Sequence, residues 1–141
     1  MTKRDLYFAL NCDMVGIGQG ASAVARVTLV NWETEVVLDT FVQIPVPITE
    51  FRGTGITPSD IYKNSQAMNF AAVRQAVDSI VRGKILIGHN LQEHLIALGL
   101  VHPWTDVRDT CDFRPFCYKE VDGISHEPVL VERTLEELTQ E

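Results

Sequence analysis

The chain has 141 residues, of which 45% are hydrophobic and 22% charged, a composition typical of one globular domain with its own core. No apolar run approaches the roughly 20 residues that span a bilayer, and the first residues lack the apolar stretch of a signal peptide. We therefore expect neither a secreted nor an integral-membrane protein. Twelve Lys and Arg residues against 19 Asp and Glu residues give a net charge of −7, which argues against binding to nucleic acid through many phosphate contacts.

The first third of the chain predicts three antiparallel strands arranged as a meander. Apolar and β-branched residues concentrate in segments 6–15, 23–30 and 35–44. The glycine-rich segment 16–20 is typical of a turn, and segment 31–34 is short enough for a hairpin connection.

The hydrophobic period then changes to that of alternating helices and strands. Apolar residues between 70 and 81 recur at helical spacing before Gly83, and leucines predict a second helix over about 91–100. Segments 85–88 and 107–111 are typical of short buried strands, and Thr134 with Glu137 forms a capping box for a final short helix. The chain is thus expected to form one α/β domain over residues 1–141, with a mixed sheet.

Several segments carry a family resemblance. Residues 9–18 read A-L-N-C-D-M-V-G-I-G, and residues 83–91 read G-K-I-L-I-G-H-N-L. The match continues at 25–27, 30–31, 47–52, 55–58, 100–103, 107–110 and 133–138. Along nearly its whole length the sequence resembles the Rex-type RNA exonucleases, a branch of the DEDDh 3′→5′ exonuclease superfamily. The resemblance implies a ribonuclease H-like fold, here expected to be truncated at its C-terminus, and a nuclear or nucleolar location.

The resemblance also identifies the catalytic positions, and three of them carry altered residues. The family binds two divalent metal ions with four carboxylates and uses a histidine to activate water. Its D-x-E motif falls on Asn11 and Asp13, and its second-motif aspartate falls on His94. The third motif belongs beyond Leu138. We therefore expect vestigial catalytic positions and no bound cofactor, although Asp13 with Asn11 and His94 could hold one Mn²⁺ or Zn²⁺ ion.

The resemblance offers Met14, Phe51, Arg52 and His89 as candidate substrate-binding residues. For His89, which follows a buried-strand pattern, a hydrogen-bonded core histidine is the competing interpretation. The spacing from Arg52 to the Gly-Ile pair at 55–56 is shorter than in the family.

These observations favour a catalytically degenerate exonuclease-like domain that acts as a protein interaction module, with RNA binding expected to be weak. Without the last helix of the fold, one sheet face beside the first strand should be exposed, and we expect a protein partner or a second copy of the chain to bind there. Two alternatives remain open. One is an active 3′→5′ RNA exonuclease with Mg²⁺ or Mn²⁺, completed by a partner or by residues outside this sequence, and the other is a domain that binds RNA without cutting it.

Overall fold

The computed structural model describes residues 2–112, 117–121 and 128–132. It contains four helices, α1 (Lys3–Leu6), α2 (Pro58–Tyr62), α3 (Phe70–Val81) and α4 (Leu91–Leu98). The strands are β1 (Tyr7–Gly18), β2 (Ala21–Asn31), β3 (Val36–Phe41), β4 (Ile85–Gly88), β5 (Val107–Asp109), β6 (Cys117–Val121) and β7 (Pro128–Glu132). Five of them form one sheet in the order β3-β2-β1-β4-β5, and β6 pairs with β7.

The sheet is mixed, as the sequence predicts. Strands β1, β2 and β3 form the antiparallel meander, whereas β4 runs parallel to both β1 and β5. The predicted hairpin after β2 is present, and the Asn31 side chain closes it by accepting hydrogen bonds of 3.0 Å from the backbone N–H groups of Glu33 and Glu35. Asparagine favours such turns because its side-chain oxygen satisfies nearby backbone donors.

The turn predicted over 16–20 is shorter than expected. Strand β1 continues to Gly18, and only Gln19 and Gly20 form the turn, both with positive φ. Gly16 stays in the ladder opposite Ser22 and also exchanges backbone hydrogen bonds with Glu50. A Cβ at position 16 would lie 3.1 Å from the Glu50 Cβ, so the glycine permits this close approach.

Helices α3 and α4 cover one face of the sheet. Asn69 begins α3 by accepting a 2.8 Å hydrogen bond from the Ala72 N–H, and Val73, Val77 and Val81 form its buried stripe. The main hydrophobic cluster also includes Leu10, Cys12, Val24, Val27, Leu29, Val42, Leu86, Leu91, Leu95 and Leu98. The helical periodicity therefore correctly predicted the buried stripes of α3 and α4, whereas Phe70, which fits the same spacing, is exposed.

Several predicted bounds differ from the structure, and β3, predicted to reach residue 44, ends at Phe41. Helix α4 ends at Leu98 instead of 100, because Gly99 adopts a left-handed conformation with φ 69° and its N–H bonds back to the Ile96 carbonyl. Strand β5 ends at Asp109 instead of 111, and a 3₁₀ turn over Thr110–Asp112 follows it.

A connection between β3 and α3 covers the far end of the opposite face. Its Ile44, Ile56 and Ile61 pack with Val15 and Ala25 in a second hydrophobic cluster. Helices α1 and α2 and the β6–β7 pair were not predicted, and the helix predicted from Thr134 lies outside the described residues. None of the helices described is long and apolar enough to cross a bilayer.

Candidate functional site

The D-x-E positions lie in the middle of β1. Asn11 pairs in register with Thr28 and Asp13 with Arg26 across the antiparallel ladder. Because side chains two residues apart on a strand point to the same side, Asn11 and Asp13 share one side of β1. Asn11 is exposed and Asp13 is half-buried. The strand geometry of the motif is therefore kept, although one carboxylate is replaced by an amide.

Arg26, the cross-strand neighbour of Asp13, binds a different carboxylate. Its Nε and Nη2 atoms donate to the two oxygens of Asp39 at 2.8 and 2.7 Å. This bidentate pair lowers the pKa of Asp39 and raises that of Arg26, to which the charges of Asp13 and Asp60 also contribute. The guanidinium lies 5.4 Å from the centre of the Phe41 ring. Arg26 is thus held in place by Asp39 and Phe41.

His94, at the second-motif position, is a buried residue of α4 with an unpartnered polar atom. It is 8% exposed, and its Nδ1 atom has no hydrogen-bond partner among the described residues. Burial lowers the pKa of His94, while the negative charges of Glu93, Asp109 and Asp13 oppose that effect. The structure therefore places Asp13 within electrostatic range of His94, with a neutral imidazole favoured.

The backbone between β4 and α4 donates hydrogen bonds to an aspartate whose role was not predicted. Asp109 accepts hydrogen bonds from the backbone N–H groups of Asn90, Leu91 and Cys111 at 2.8, 2.7 and 3.0 Å. Two of these donors begin α4, and Asn90 has a left-handed backbone with φ 60°. Asp109 therefore fixes the entry into the helix that carries His94.

His89 is half-buried and its ring nitrogens contact Thr110 and Cys111. Its Nδ1 lies 2.6 Å from Thr110 Oγ1, and its Nε2 lies 3.4 Å from Cys111 Sγ. His89 and Thr110 also line a pocket of about 280 Å³ with Asn11, Thr28, Ala9 and Val30. This pocket is on the side of β1 that Asn11 and Asp13 share, and its lining is mostly apolar.

The other candidate substrate residues are dispersed. Met14 packs against the main hydrophobic cluster and Phe51 against the second one. Arg52 has a left-handed backbone with φ 54°, and its Nε lies 3.8 Å from a Glu50 carboxylate oxygen. None of these three residues lines the pocket beside Asn11.

The chain is similar to fungal proteins named RNA exonuclease 4. The Candida glabrata protein is 41% identical over 133 residues, which is 88% of this chain and 49% of the relative. The Mycosarcoma maydis and Gibberella zeae proteins are 37% and 38% identical over 77% and 78% of this chain, and over 29% and 35% of their own lengths. No family model matches the chain.

The chain therefore resembles the DEDDh-type RNA exonucleases, as its motifs predict. It spans less than half the length of these relatives.

Solved structures of Pan2 share the exonuclease fold. The Saccharomyces cerevisiae pseudoubiquitin-hydrolase-RNase module matches with a TM-score of 0.70 and 18% identity, over 89% of this chain and 22% of that one. The Neurospora crassa catalytic unit matches with a TM-score of 0.67 and 17% identity, over 92% and 22% of the two chains. The ribonuclease H-like α/β fold expected from the sequence is therefore confirmed.

DEDDh exonucleases use divalent metal ions, so the donor set of this chain can be tested for fit. Within the described part of the chain, no three His, Cys, Asp or Glu side chains lie together in a way that could hold a metal ion. Asn11 offers an amide and His94 a buried imidazole, and the Asp109 carboxylate already accepts three backbone hydrogen bonds. This donor set does not fit a pair of Mg²⁺ ions, which require several carboxylates and octahedral oxygen ligands.

Proposed function

We propose that this chain is a non-catalytic member of the DEDDh exonuclease family that acts as an interaction module in RNA processing. The observation that carries the proposal is His94. Where the family has a metal-binding aspartate, this chain has a histidine that is 8% exposed, with an unpartnered Nδ1 and a pKa lowered by burial. A side chain in this state cannot supply the negative charge that the metal pair needs.

The remaining acidic groups do not replace the missing charge. Two Mg²⁺ ions bring four positive charges, and of the family's matched positions only Asp13 is still a carboxylate. Glu93 is next to His94 but is exposed and binds the Asn90 side-chain amide. One residue along a helix rotates a side chain by about 100°, so Glu93 points away from the direction of His94.

The relatives' names favour a second candidate, an active 3′→5′ RNA exonuclease. In that case the site would be completed by a partner or by residues outside this sequence, with Mg²⁺ or Mn²⁺ as cofactor. Degradation of a 5′-labelled single-stranded RNA, with each metal ion, separates the two candidates. The proposal expects no ladder of shortened products. A ladder that disappears in Asp13→Asn would overturn it and establish an active site.

The partner site of the proposed module is the pocket beside Asn11. Ala9, Thr28 and Val30 give it an apolar lining, and apolar patches of this kind often mark protein interfaces. We propose that a protein partner or a second copy of the chain covers this face, with RNA contacts weakened by the net charge of −7. A nuclear or nucleolar location belongs to the same proposal and rests on the family resemblance.

Light scattering tests the second-copy form of this proposal. Wild-type protein should associate as its concentration rises, and Val30→Lys should remain monomeric, because a lysine would place a charge in the pocket. Ile96→Lys, a matched apolar-to-lysine change at a 67% exposed position of α4, which covers the other face of the sheet, should behave like wild type. A monomeric wild type would leave a different protein as the partner, and equal association of both variants would exclude this face.

A further inference from the structure

The connection from α4 to β5 exposes apolar side chains away from the pocket beside Asn11, which we call the cleft. Val101 is 98% exposed and Trp104 is 85% exposed, which makes them the most exposed large hydrophobic residues among those described. Ile96, on the outer face of α4, is 67% exposed. Single exposed apolar residues are common on proteins, but a group on one short segment indicates a surface for binding.

Arginines flank this connection on two sides. Arg74 on α3 and Arg82, which follows the last residue of α3, line a groove of about 540 Å³ together with Gly99, Leu100 and Val101. The Arg74 side chain lies over Gly99, where a Cβ would be 3.5 Å from its Nε. On the other side, Arg108 Nη1 donates to the carbonyl of Thr105 at 2.6 Å. We call Arg74, Arg82, Val101, Trp104 and Arg108 the loop surface.

The loop surface has a positive charge on a chain that is acidic as a whole. Asp78 pairs with Arg82, and Asp106 is part of the same connection. Counting Lys84, which directly precedes β4, with the three arginines gives four positive charges in this region against the two negative charges of Asp78 and Asp106, whereas the whole chain has a net charge of −7. This local reversal of sign favours an acidic partner.

The loop surface lies at the opposite end of the sheet from the cleft. Strands β4 and β5 are parallel, and Asp109 and His89 lie at or just after their carboxyl ends. Trp104 and Lys84 instead precede the amino ends of the same strands. A partner on the loop surface would therefore leave the cleft accessible.

We infer that the loop surface binds an acidic protein segment that carries apolar side chains. Val101 and Trp104 supply apolar contacts, and the arginines bind carboxylates, for which the planar guanidinium is well suited. A single-stranded RNA is the weaker match, because RNA-binding grooves present several aromatic side chains to successive bases and this surface has one. The inference goes beyond the proposed function, since it holds whether or not the cleft cuts RNA.

The two tryptophans of the chain allow a localised test by nuclear magnetic resonance. Trp32 lies at the β2–β3 hairpin, where its ring is 5.0 Å from that of Tyr7, and so it serves as an internal reference for Trp104. The probes are a short peptide that alternates glutamate with leucine and phenylalanine, the same peptide with lysine in place of glutamate, and a short oligouridylate. The acidic peptide should shift the Trp104 indole signal and the amide of Val101, and it should leave the Trp32 indole signal unchanged.

Charge-reversal variants test the role of the arginines. Arg74→Glu should weaken binding of the acidic peptide by about tenfold or more, because it places a like charge against the peptide. Lys63→Glu makes the same change in charge at an exposed position after α2 and should leave the affinity unchanged. The inference is overturned if millimolar acidic peptide leaves Trp104 unmoved, if the lysine peptide binds equally well, or if only the oligouridylate shifts Trp104.

Discussion

Replacing His94 by leucine should stabilise the fold. The imidazole is 8% exposed and its Nδ1 has no partner among the described residues. An unpartnered buried polar group costs about 1–3 kcal/mol, and leucine has a similar volume without that group. Because Leu91, Leu95 and Leu98 of the same helix are buried, a leucine at position 94 would extend an existing apolar stripe. We expect the free energy of unfolding to rise by about 1–2 kcal/mol at neutral pH.

The same variant should remove an acid-sensitive contribution to stability. Burial lowers the pKa of His94 from its ordinary value of 6.5, so below pH 6.5 the unfolded chain binds a proton that the folded chain does not. The contribution of the neutral His94 to the free energy of unfolding is therefore fully present above pH 6.5, and it is lost as the pH falls towards the pKa of His94 in the folded state. Wild-type stability should therefore fall between about pH 7.5 and pH 5.5 by an amount that the leucine variant does not show.

Urea unfolding at the two pH values measures both effects. Gln92→Leu, at an exposed position of the same helix, controls for the intrinsic helix preference of leucine. A His94→Leu protein that is less stable than wild type, or that keeps the wild-type pH dependence, would refute the description of His94 as a buried, unpartnered and neutral imidazole.

Three further substitutions test the framework around the cleft. Asp109→Ala should lower the free energy of unfolding, measured by heat or urea, by about 2–4 kcal/mol, since it removes the acceptor of three backbone hydrogen bonds. A smaller loss would show that another group accepts hydrogen bonds from the first N–H groups of α4. Asp39→Asn should lower the free energy of unfolding by less than about 1 kcal/mol, because the pair of Asp39 with Arg26 is partly exposed. This loss should be present above pH 3.8 and should disappear as acid protonates Asp39 in the wild type. An equal loss at all pH values would contradict the ion pair. Gly88→Ala should lower the free energy of unfolding by about 1–3 kcal/mol, because a Cβ would lie 2.8 Å from the Leu10 carbonyl oxygen. A variant as stable as the wild type would show that β1 and β4 are further apart.

Much of the fold could be predicted because its signals are local. The valines of α3 recur at helical spacing, and the apolar segments of β1 and β2 flank a glycine-rich turn, so the meander and the first core helix follow from neighbouring residues. The end of α4 was predicted less well. The helix ends because Gly99 adopts a left-handed conformation, whereas the apolar Leu100 that follows it suggested a longer helix.

The contacts of the site join residues that are distant in the sequence, so the spacing of neighbouring residues could not predict them. Asp109 binds backbone groups 18 and 19 positions earlier in the chain, and Arg26 reaches Asp39 only because of the register between β2 and β3. The burial of His94 could have been found, since it lies three residues after Leu91 and four before Leu98 on the predicted apolar face of α4.

Calorimetric titration with Mn²⁺ tests the central claim, that the cleft has lost its metal site, most directly. The wild-type chain should show no saturable binding, and Asn11→Asp combined with His94→Asp should bind more tightly because it restores two carboxylates at the family's positions. Stoichiometric Mn²⁺ binding by the wild type that is lost in Asp13→Asn would contradict the account.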